Sequence, residues 1–289
     1  MKPTLKSFLL ALPLSLAVSQ VADAHRSWLL PSTTVLSSRN AWVTIDAARS
    51  NDLFYFDHNA MLLGNVGGQP EELSAMRRRN RRPAPDVSIT APDGASIAPK
   101  FGNVGRYRTT FDIPLEQAGT YRIAVVSSAL AARFTVNGEN GRAFGDEESL
   151  KKEIPAEAKD VKITETHQRV ETFVTMGKPS GLKPSGDGLE LVPVTHPNDL
   201  YADEQASFRL MLDGRPASNV KVTWVRGGSR YRNAPETGET TTDADGGFAF
   251  TWAEPGMYWI TASASGNSVV VKDRPRRASY SATLEVLPQ

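Results

Sequence analysis

The chain has 289 residues and no cysteine, with 33 basic against 32 acidic side chains and a formal net charge of +1. A chain of this length predicts about two domains with a substantial buried core. The balanced charge argues against nucleic acid or a strongly charged membrane surface as the main partner. The lack of cysteine excludes disulfides and thiolate metal ligands.

The N-terminus has the pattern of a secretory signal peptide. Lys2 and Lys6 precede an apolar stretch over 8–18, and residues 22–24 read Ala-Asp-Ala, which places small side chains at the −3 and −1 positions. No later segment approaches the roughly 18 apolar residues that a membrane helix needs. We therefore predict cleavage after residue 24 and a periplasmic or secreted mature chain that begins at His25.

Residues 25–137 have the composition of short strands separated by turns. The segments in which apolar and polar residues alternate are 41–47, 87–90, 107–113 and 121–126. This period of two, in segments rich in Val, Ile, Thr and Tyr, is typical of an immunoglobulin-like β-sandwich. We predict that 25–137 form an N-terminal β-sandwich.

Residues 138–188 follow a different pattern. The charged stretch 147–162 carries apolar residues at helical spacing, interrupted by Pro155. Residues 164–177 alternate as a strand does, and 178–188 have the composition of a loop or linker. We predict a connecting segment with a short helix, a strand and a linker.

Residues 189–289 repeat the strand-and-turn pattern. Their clearest strands are 206–212, 220–225 and 248–252. Tyr258 follows Gly256 by two positions, as Tyr121 follows Gly119 in the first region, so the two regions look related. The predicted fold class is all-β, with two immunoglobulin-like β-sandwich domains joined by a short linker.

The four histidines are the candidate metal ligands. Cleavage would free the α-amine of His25, and this amine and a ring nitrogen of the same residue can chelate one metal ion. A second imidazole bound to the same ion would complete the arrangement called a histidine brace. His58 is the first candidate for that second ligand, because the neighbouring Asp57 can bind the metal or orient an imidazole. His167 in the predicted strand and His196 in a later loop are further candidates. A nitrogen-rich site suits copper(II) or nickel(II). The alternative at each position is a structural or solvated histidine.

Two further clusters have simpler explanations. The run Arg77–Arg82 contains five arginines and would suit a phosphate or a carboxylate-bearing chelate, but the neutral overall charge favours a solvated loop. Asp243–Gly246 resembles half of a calcium loop, and a hairpin turn explains it better. No motif for nucleophilic catalysis or phosphate binding is present, so we do not expect an enzyme.

Several segments resemble a known family. They are Ala24–Pro31, Glu165–Gly177, Gly188–Leu200 and Asp243–Ile260. In this order they are similar to a bacterial exported family of unknown-function domains, described as a periplasmic component of cobalt/nickel transport and related to nickel-uptake M-type proteins. The resemblance covers nearly all of the mature chain. It implies a secreted, all-β protein that handles a divalent transition metal, with the family's N-terminal histidine at His25 and its His-Pro-Asn-Asp-Leu histidine at His196. The expected transmembrane helix of a membrane-fused uptake component is missing, which favours a free carrier.

The main hypothesis is a non-enzymatic periplasmic protein that binds nickel, cobalt or copper and supports metal uptake or homeostasis. Its partners would be the metal ion and a membrane transporter or outer-membrane receptor. The first alternative is an extracytoplasmic adhesion or carbohydrate-binding module in which the histidines are incidental. A lesser alternative is a copper histidine-brace oxidase, which needs a flat aromatic substrate face that is not distinct in the sequence.

Overall fold

The structure, a computed structural model, describes residues 25–37, 40–67 and 84–289. The predicted signal peptide and the run Arg77–Arg82 lie outside the described residues. The strands of the first half are β1 (Arg26–Pro31), β2 (Val35–Leu36), β3 (Ala41–Ser50), β4 (Asn59–Ala60), β5 (Val87–Thr90), β6 (Ser96–Ile97), β7 (Lys100–Val104), β8 (Thr109–Leu115), β9 (Gly119–Val136) and β10 (Glu139–Gly145). The strands of the second half are β11 (Lys159–Met176), β12 (Leu189–Pro193), β13 (Gln205–Leu212), β14 (Arg215–Pro216), β15 (Lys221–Arg226), β16 (Thr237–Thr241), β17 (Gly247–Thr251), β18 (Gly256–Asn267) and β19 (Pro275–Val286).

Helical structure in the described ranges is limited to α1 (Glu147–Glu153) and a 3₁₀ turn at Ser229–Tyr231. Asp146 caps α1 by accepting a hydrogen bond from the Ser149 amide at 2.7 Å. The helix is shorter than the predicted stretch over 147–162, because the chain becomes extended just before Pro155 and then enters β11. No helix in the described residues is long and apolar enough to cross a membrane.

The strands form three sheets. The first sheet has the order β1-β3-β8-β7, with β4 also paired to β3. The second has ten strands in the order β16-β15-β18-β19-β11-β9-β5-β6, with β10 on β9 and β2 on β11. The third has the order β12-β13-β14, with β17 on β13. The ten-stranded sheet therefore runs through both halves of the chain.

The two largest of the four hydrophobic clusters in the described residues fill the space between these sheets. The first core joins the five-stranded sheet to one half of the ten-stranded sheet and includes Ile45, Phe111 and Ile123. The second core joins the third sheet to the other half and includes Trp252 and Tyr258. Each core is a sheet-on-sheet sandwich, so the predicted all-β class with two sandwich regions is confirmed.

The two sandwiches share a tyrosine corner. The Tyr121 hydroxyl donates to the carbonyl oxygen of Gln117 at 3.0 Å, and the Tyr258 hydroxyl donates to that of Glu254 at 2.7 Å, in both cases four residues upstream. Gly119 and Gly256 before them have φ of 131° and 144°, a region that favours glycine. The Gly-x-Tyr similarity in the sequence thus corresponds to one local structure used twice.

Strand β11 connects the two cores. It pairs antiparallel with β9 of the first half and parallel with β19 of the second. Because side chains alternate across a strand, Val170 and Val174 enter the first core while Phe173 enters the second. The predicted connecting segment 138–188 therefore contains a central strand of the shared sheet. Its limits as a separate segment stay a prediction.

Candidate functional site

His25 and His58 lie next to each other because the two strands that follow them, β1 and β4, both pair with the end of β3. Strand β1 begins to pair with the last residue of β3 at Arg26, and β4 begins to pair on the other side of β3 at Asn59. His25 and His58 are the residues just before those two. Both histidines therefore stand just beyond the end of β3, one on each side of it.

The two imidazole rings are stacked face to face. Their centroids are 3.5 Å apart and their planes differ by 9°. His25 is exposed and His58 is half-buried, so the His25 ring can turn without disturbing a core. We call this pair the His25–His58 stack.

Asp57 has a different role from the predicted one. Its Oδ1 accepts a hydrogen bond from the Asn51 amide at 3.1 Å, and its Oδ2 accepts one from the Asp52 amide at 3.3 Å. The carboxylate thus closes the loop that returns the chain from the end of β3 to His58. Asp57 positions the backbone before His58, and its role as a metal ligand stays a prediction.

The second half of the chain holds the same loop from outside. Asp52 accepts hydrogen bonds from the Ser229 hydroxyl at 3.3 Å and from Arg230 Nε at 3.4 Å. The Arg230 guanidinium also lies 4.0 Å from the centroid of the Tyr55 ring, in a cation–π contact. The loop that carries His58 is therefore supported by both sandwiches.

His167 is buried away from this stack. Its side chain is 3% exposed, and its Nε2 lies 3.2 Å from Asp187 Oδ2. Its ring packs directly against Gly188, where an added Cβ would lie 2.0 Å from a ring carbon. Burial lowers the pKa of His167, and the neighbouring Asp187 opposes that shift. The predicted ligand role of His167 would require this packing to open.

His196 is fixed by hydrogen bonds on both ring nitrogens. Its Nδ1 accepts from the Asn198 amide at 3.1 Å, so the proton of the neutral ring is on Nε2, which donates to Thr120 Oγ1 at 2.9 Å. Thr120 Oγ1 lies 2.9 Å from Thr175 Oγ1, which in turn donates to Asn198 Oδ1 at 2.9 Å. His196 therefore links the two sandwiches through both ring nitrogens, and its predicted ligand role would require at least one of these hydrogen bonds to break.

Acid should destabilise the fold through these two histidines. Burial is the main cause that lowers the pKa of both His167 and His196, so the unfolded chain binds more protons than the folded one once the pH falls below about 6.5. Their contribution is complete above that pH and is lost as the pH falls through the lowered folded pKa. We expect His196→Gln to show a smaller loss of stability than the parent chain between pH 7.5 and pH 5 in urea unfolding. An identical loss in both proteins would contradict this role.

A buried ionic cluster around Arg276 was not predicted from the sequence. The Arg276 guanidinium is 1% exposed and lies 3.1 Å from Glu165, 2.6 Å from Asp213 and 3.5 Å from Asp187. Glu165 also accepts hydrogen bonds from the Ser268 hydroxyl at 2.6 Å and from the Val269 amide at 2.9 Å. We call these four charged residues the Arg276 cluster. It ties β11 and β19 to the loops at 187 and 213.

A second buried group lies further along β11. Glu171, with no exposed surface, lies 3.1 Å from Arg169 and 3.8 Å from Arg122, and it accepts a hydrogen bond from the Tyr280 hydroxyl at 2.8 Å. Burial and the Glu171 carboxylate raise the pKa of Tyr280 well above 10, so the phenol stays a donor. The sequence held a signal for both groups, since 165, 167, 169 and 171 are titratable residues spaced by two.

The nitrogen atoms that could bind a metal ion at the His25–His58 stack come from only two residues. The described residues form no group of three or more His, Cys, Asp or Glu side chains that could hold a metal ion. The His25–His58 stack nevertheless offers two imidazoles, and cleavage before His25 would add its amine as a third nitrogen donor. Of the five predicted site residues, the structure brings these two together and gives Asp57, His167 and His196 other partners.

Comparisons with known proteins give a family but no activity. The model of the family "Domain of unknown function (DUF4198)" matches residues 22–266. No curated protein matches the chain. Among solved structures, the D0-D1 domain of Intimin is 13% identical with a TM-score of 0.21, over 90% of this chain and 97% of that chain. The human OSCAR ligand-binding domain is 14% identical with a TM-score of 0.19, over 91% of this chain and 99% of that chain. These superpositions are too poor to bear on fold or function.

Proposed function

The chain belongs to the family "Domain of unknown function (DUF4198)", and from its site we propose that it is an exported carrier of one divalent transition-metal ion. The ion is cargo and not a catalytic cofactor. The observation that carries the proposal is the His25–His58 stack, since it joins a second imidazole to the residue expected to become the N-terminus. The carrier would deliver its ion to a membrane transporter or an outer-membrane receptor.

The proposed ligands are three nitrogens from two residues. The α-amine and one ring nitrogen of His25 would form a chelate, and a ring nitrogen of His58 would complete it. Neutral nitrogen donors favour nickel(II) and copper(II) in the order of divalent-metal affinities, with cobalt(II) weaker. The resemblance to the cobalt/nickel transport family supports nickel or cobalt as the physiological cargo.

Metal binding must open the stack. A metal ion lies close to the plane of each imidazole that binds it, and two parallel planes 3.5 Å apart cannot both contain one ion. One ring must therefore turn, which the exposure of His25 permits. The loop contacts of Asp57 and Arg230 hold the backbone of His58 during this change, so that only side-chain torsions need to move.

Titration of the processed protein tests this proposal. We expect the chain beginning at His25 to bind nickel(II) or copper(II) tightly and with one ion per chain in isothermal titration calorimetry. A chain whose His25 α-amine is acetylated should bind at least about tenfold more weakly, because the acylated nitrogen is no longer a neutral amine donor. Equal binding by both chains would overturn the proposal. The acetylated chain is a close control, since it keeps every side chain.

A further inference from the structure

The outer face of the first sheet carries an exposed aromatic strip. Trp42 on β3 lies directly opposite Pro114 on β8, and its ring is 50% exposed. The neighbouring residues Val43 and Ile113 point the other way and are fully buried in the first core. Trp42 and Pro114 therefore lie on the face of the sheet that looks away from the sandwich.

Phe101 extends this strip across a third strand. It lies on β7, on the far side of β8 from β3, and neighbouring strands are about 4.8 Å apart. The centroids of the Phe101 and Trp42 rings are nevertheless only 5.6 Å apart. The two rings must therefore lean towards each other across β8. We call Trp42, Pro114 and Phe101 the aromatic strip.

The backbone at Phe101 is held in an unfavourable conformation. Its φ is 45°, in the left-handed region, and the pairing of β7 with β8 shifts register between Lys100 and Asn103. A bulge of this kind redirects a side chain, and backbone strain in folded proteins concentrates at ligand sites. The Phe101 side chain is 77% exposed, so burial of its ring does not compensate for the strain. A ligand that covers the ring would bury it and so compensate for the backbone strain.

A row of carboxylates continues the same face. Asp112 accepts a hydrogen bond from Thr44 at 2.7 Å, and Asp46 accepts bonds from Thr110 at 2.9 Å and Arg108 at 3.3 Å. These bonds fix both carboxylates, and each oxygen has lone pairs for a further donor. The exposed Arg108 guanidinium forms an ion pair with Asp46, so this face offers carboxylate acceptors with little net charge, which suits the hydroxyl groups of a neutral ligand.

A small cavity lies at the end of the first sandwich, beside the strip. It has a volume of about 250 Å³, and Pro114 and Lys100 line it together with Ile97 and Tyr121 from the other sheet. Lys100 directly precedes Phe101, and Pro114 belongs to the strip itself. The cavity thus places a lysine side chain and backbone groups close to the exposed rings.

We propose that this face binds neutral carbohydrate. A sugar ring has apolar C–H faces and a rim of hydroxyl groups, so it can cover Trp42 and Phe101 while its hydroxyls donate to Asp112 and Asp46. The geometry of the strip is independent of the His25–His58 stack. Binding at this face therefore requires neither the metal ion nor the processed N-terminus.

A glycan array in the presence of EDTA tests the proposal. The probes are neutral β-glucan, α-glucan, mannan, galactan and chitin oligosaccharides, with uronic acid and sulfated glycans beside them. We expect binding to at least one neutral glycan, at least a tenfold loss of affinity in Trp42→Ala, and no change in Tyr231→Ala. Tyr231 is an 85% exposed aromatic residue of the other sandwich and is the matched control. Absence of neutral-glycan binding, or equal loss in both variants, would overturn the proposal.

A stability measurement separates a ligand site from a simple surface feature. Phe101→Gly removes the ring and suits the left-handed backbone, so it should raise the melting temperature by a few degrees while it weakens glycan binding. A fall in melting temperature would show that Phe101 stabilises the fold, and would contradict its assignment as a strained ligand contact. Failure of this proposal leaves the metal titration untouched, because the two experiments use different sites.

Discussion

Replacing Arg276 by methionine is expected to destabilise the folded protein by about 3–5 kcal/mol. The guanidinium is 1% exposed, and its loss would leave the equally buried Glu165 carboxylate, together with Asp213, without their cation. Breaking a buried pair from one side costs this much because an uncompensated charge stays in a region of low dielectric constant. Urea unfolding at pH 7.5 measures the change, with the slope of the transition checked for constancy.

The neighbouring arginine on the same strand is the matched control. Arg277 is exposed on the other face of β19, so Arg277→Met should change the free energy of unfolding by no more than about 0.5 kcal/mol. A loss below about 1 kcal/mol for Arg276→Met would mean that water reaches the cluster and screens it. In that case the cluster would not be a major link between the loops and the shared sheet.

The second large effect concerns metal binding. We expect His58→Ala to weaken nickel(II) or copper(II) binding by more than the roughly 10–100-fold that loss of an indirect, orienting partner causes. The reason is that the variant removes one of three proposed donors and leaves only the His25 chelate. Calorimetric titration of the processed variant gives the affinity. Because His58 is only half-buried, the melting temperature of the His58→Ala variant should stay close to that of the parent chain.

Two comparisons make this result specific. Asn59→Ala changes the next residue, which is exposed, and should leave the affinity unchanged. Combining His58→Ala with an acetylated N-terminus leaves one of the three proposed donors, so it should weaken binding beyond either single change. Unchanged affinity in His58→Ala would show that the second imidazole lies elsewhere, and a combined variant that binds no more weakly than the acetylated chain would contradict a shared site.

The two proposed surfaces depend on the same sheet in different ways. The His25–His58 stack forms where strands end, so its rings are held by few backbone contacts. In the aromatic strip, Trp42 and Pro114 lie on paired strands, whereas Phe101 lies where the pairing of β7 with β8 shifts register. Metal and glycan titrations on the same preparation would therefore be expected to give independent affinities.

Much of the architecture is determined locally by the sequence. Alternation of apolar and polar residues predicted the strands, and Gly119-x-Tyr121 with Gly256-x-Tyr258 predicted the relation between the two sandwiches. Both signals are local, because strand periodicity and turn chemistry depend on neighbouring residues alone. The prominence of His25 also came from the sequence, through the pattern of the cleavage site before it.

The tertiary structure decided which of the predicted site residues meet. The sequence offered three histidines as partners of His25, and the register of two strands on β3 is what brings His58 to it. Hydrogen bonds to residues far along the chain, such as Thr120, gave His196 a structural role that its own segment did not show. The sequence also did not show that side chains on the two faces of β11 enter different cores, because a strand with polar and apolar residues on its faces is compatible with many partners. Strand periodicity fixes which side chains share a face, but long-range packing alone determines what covers that face.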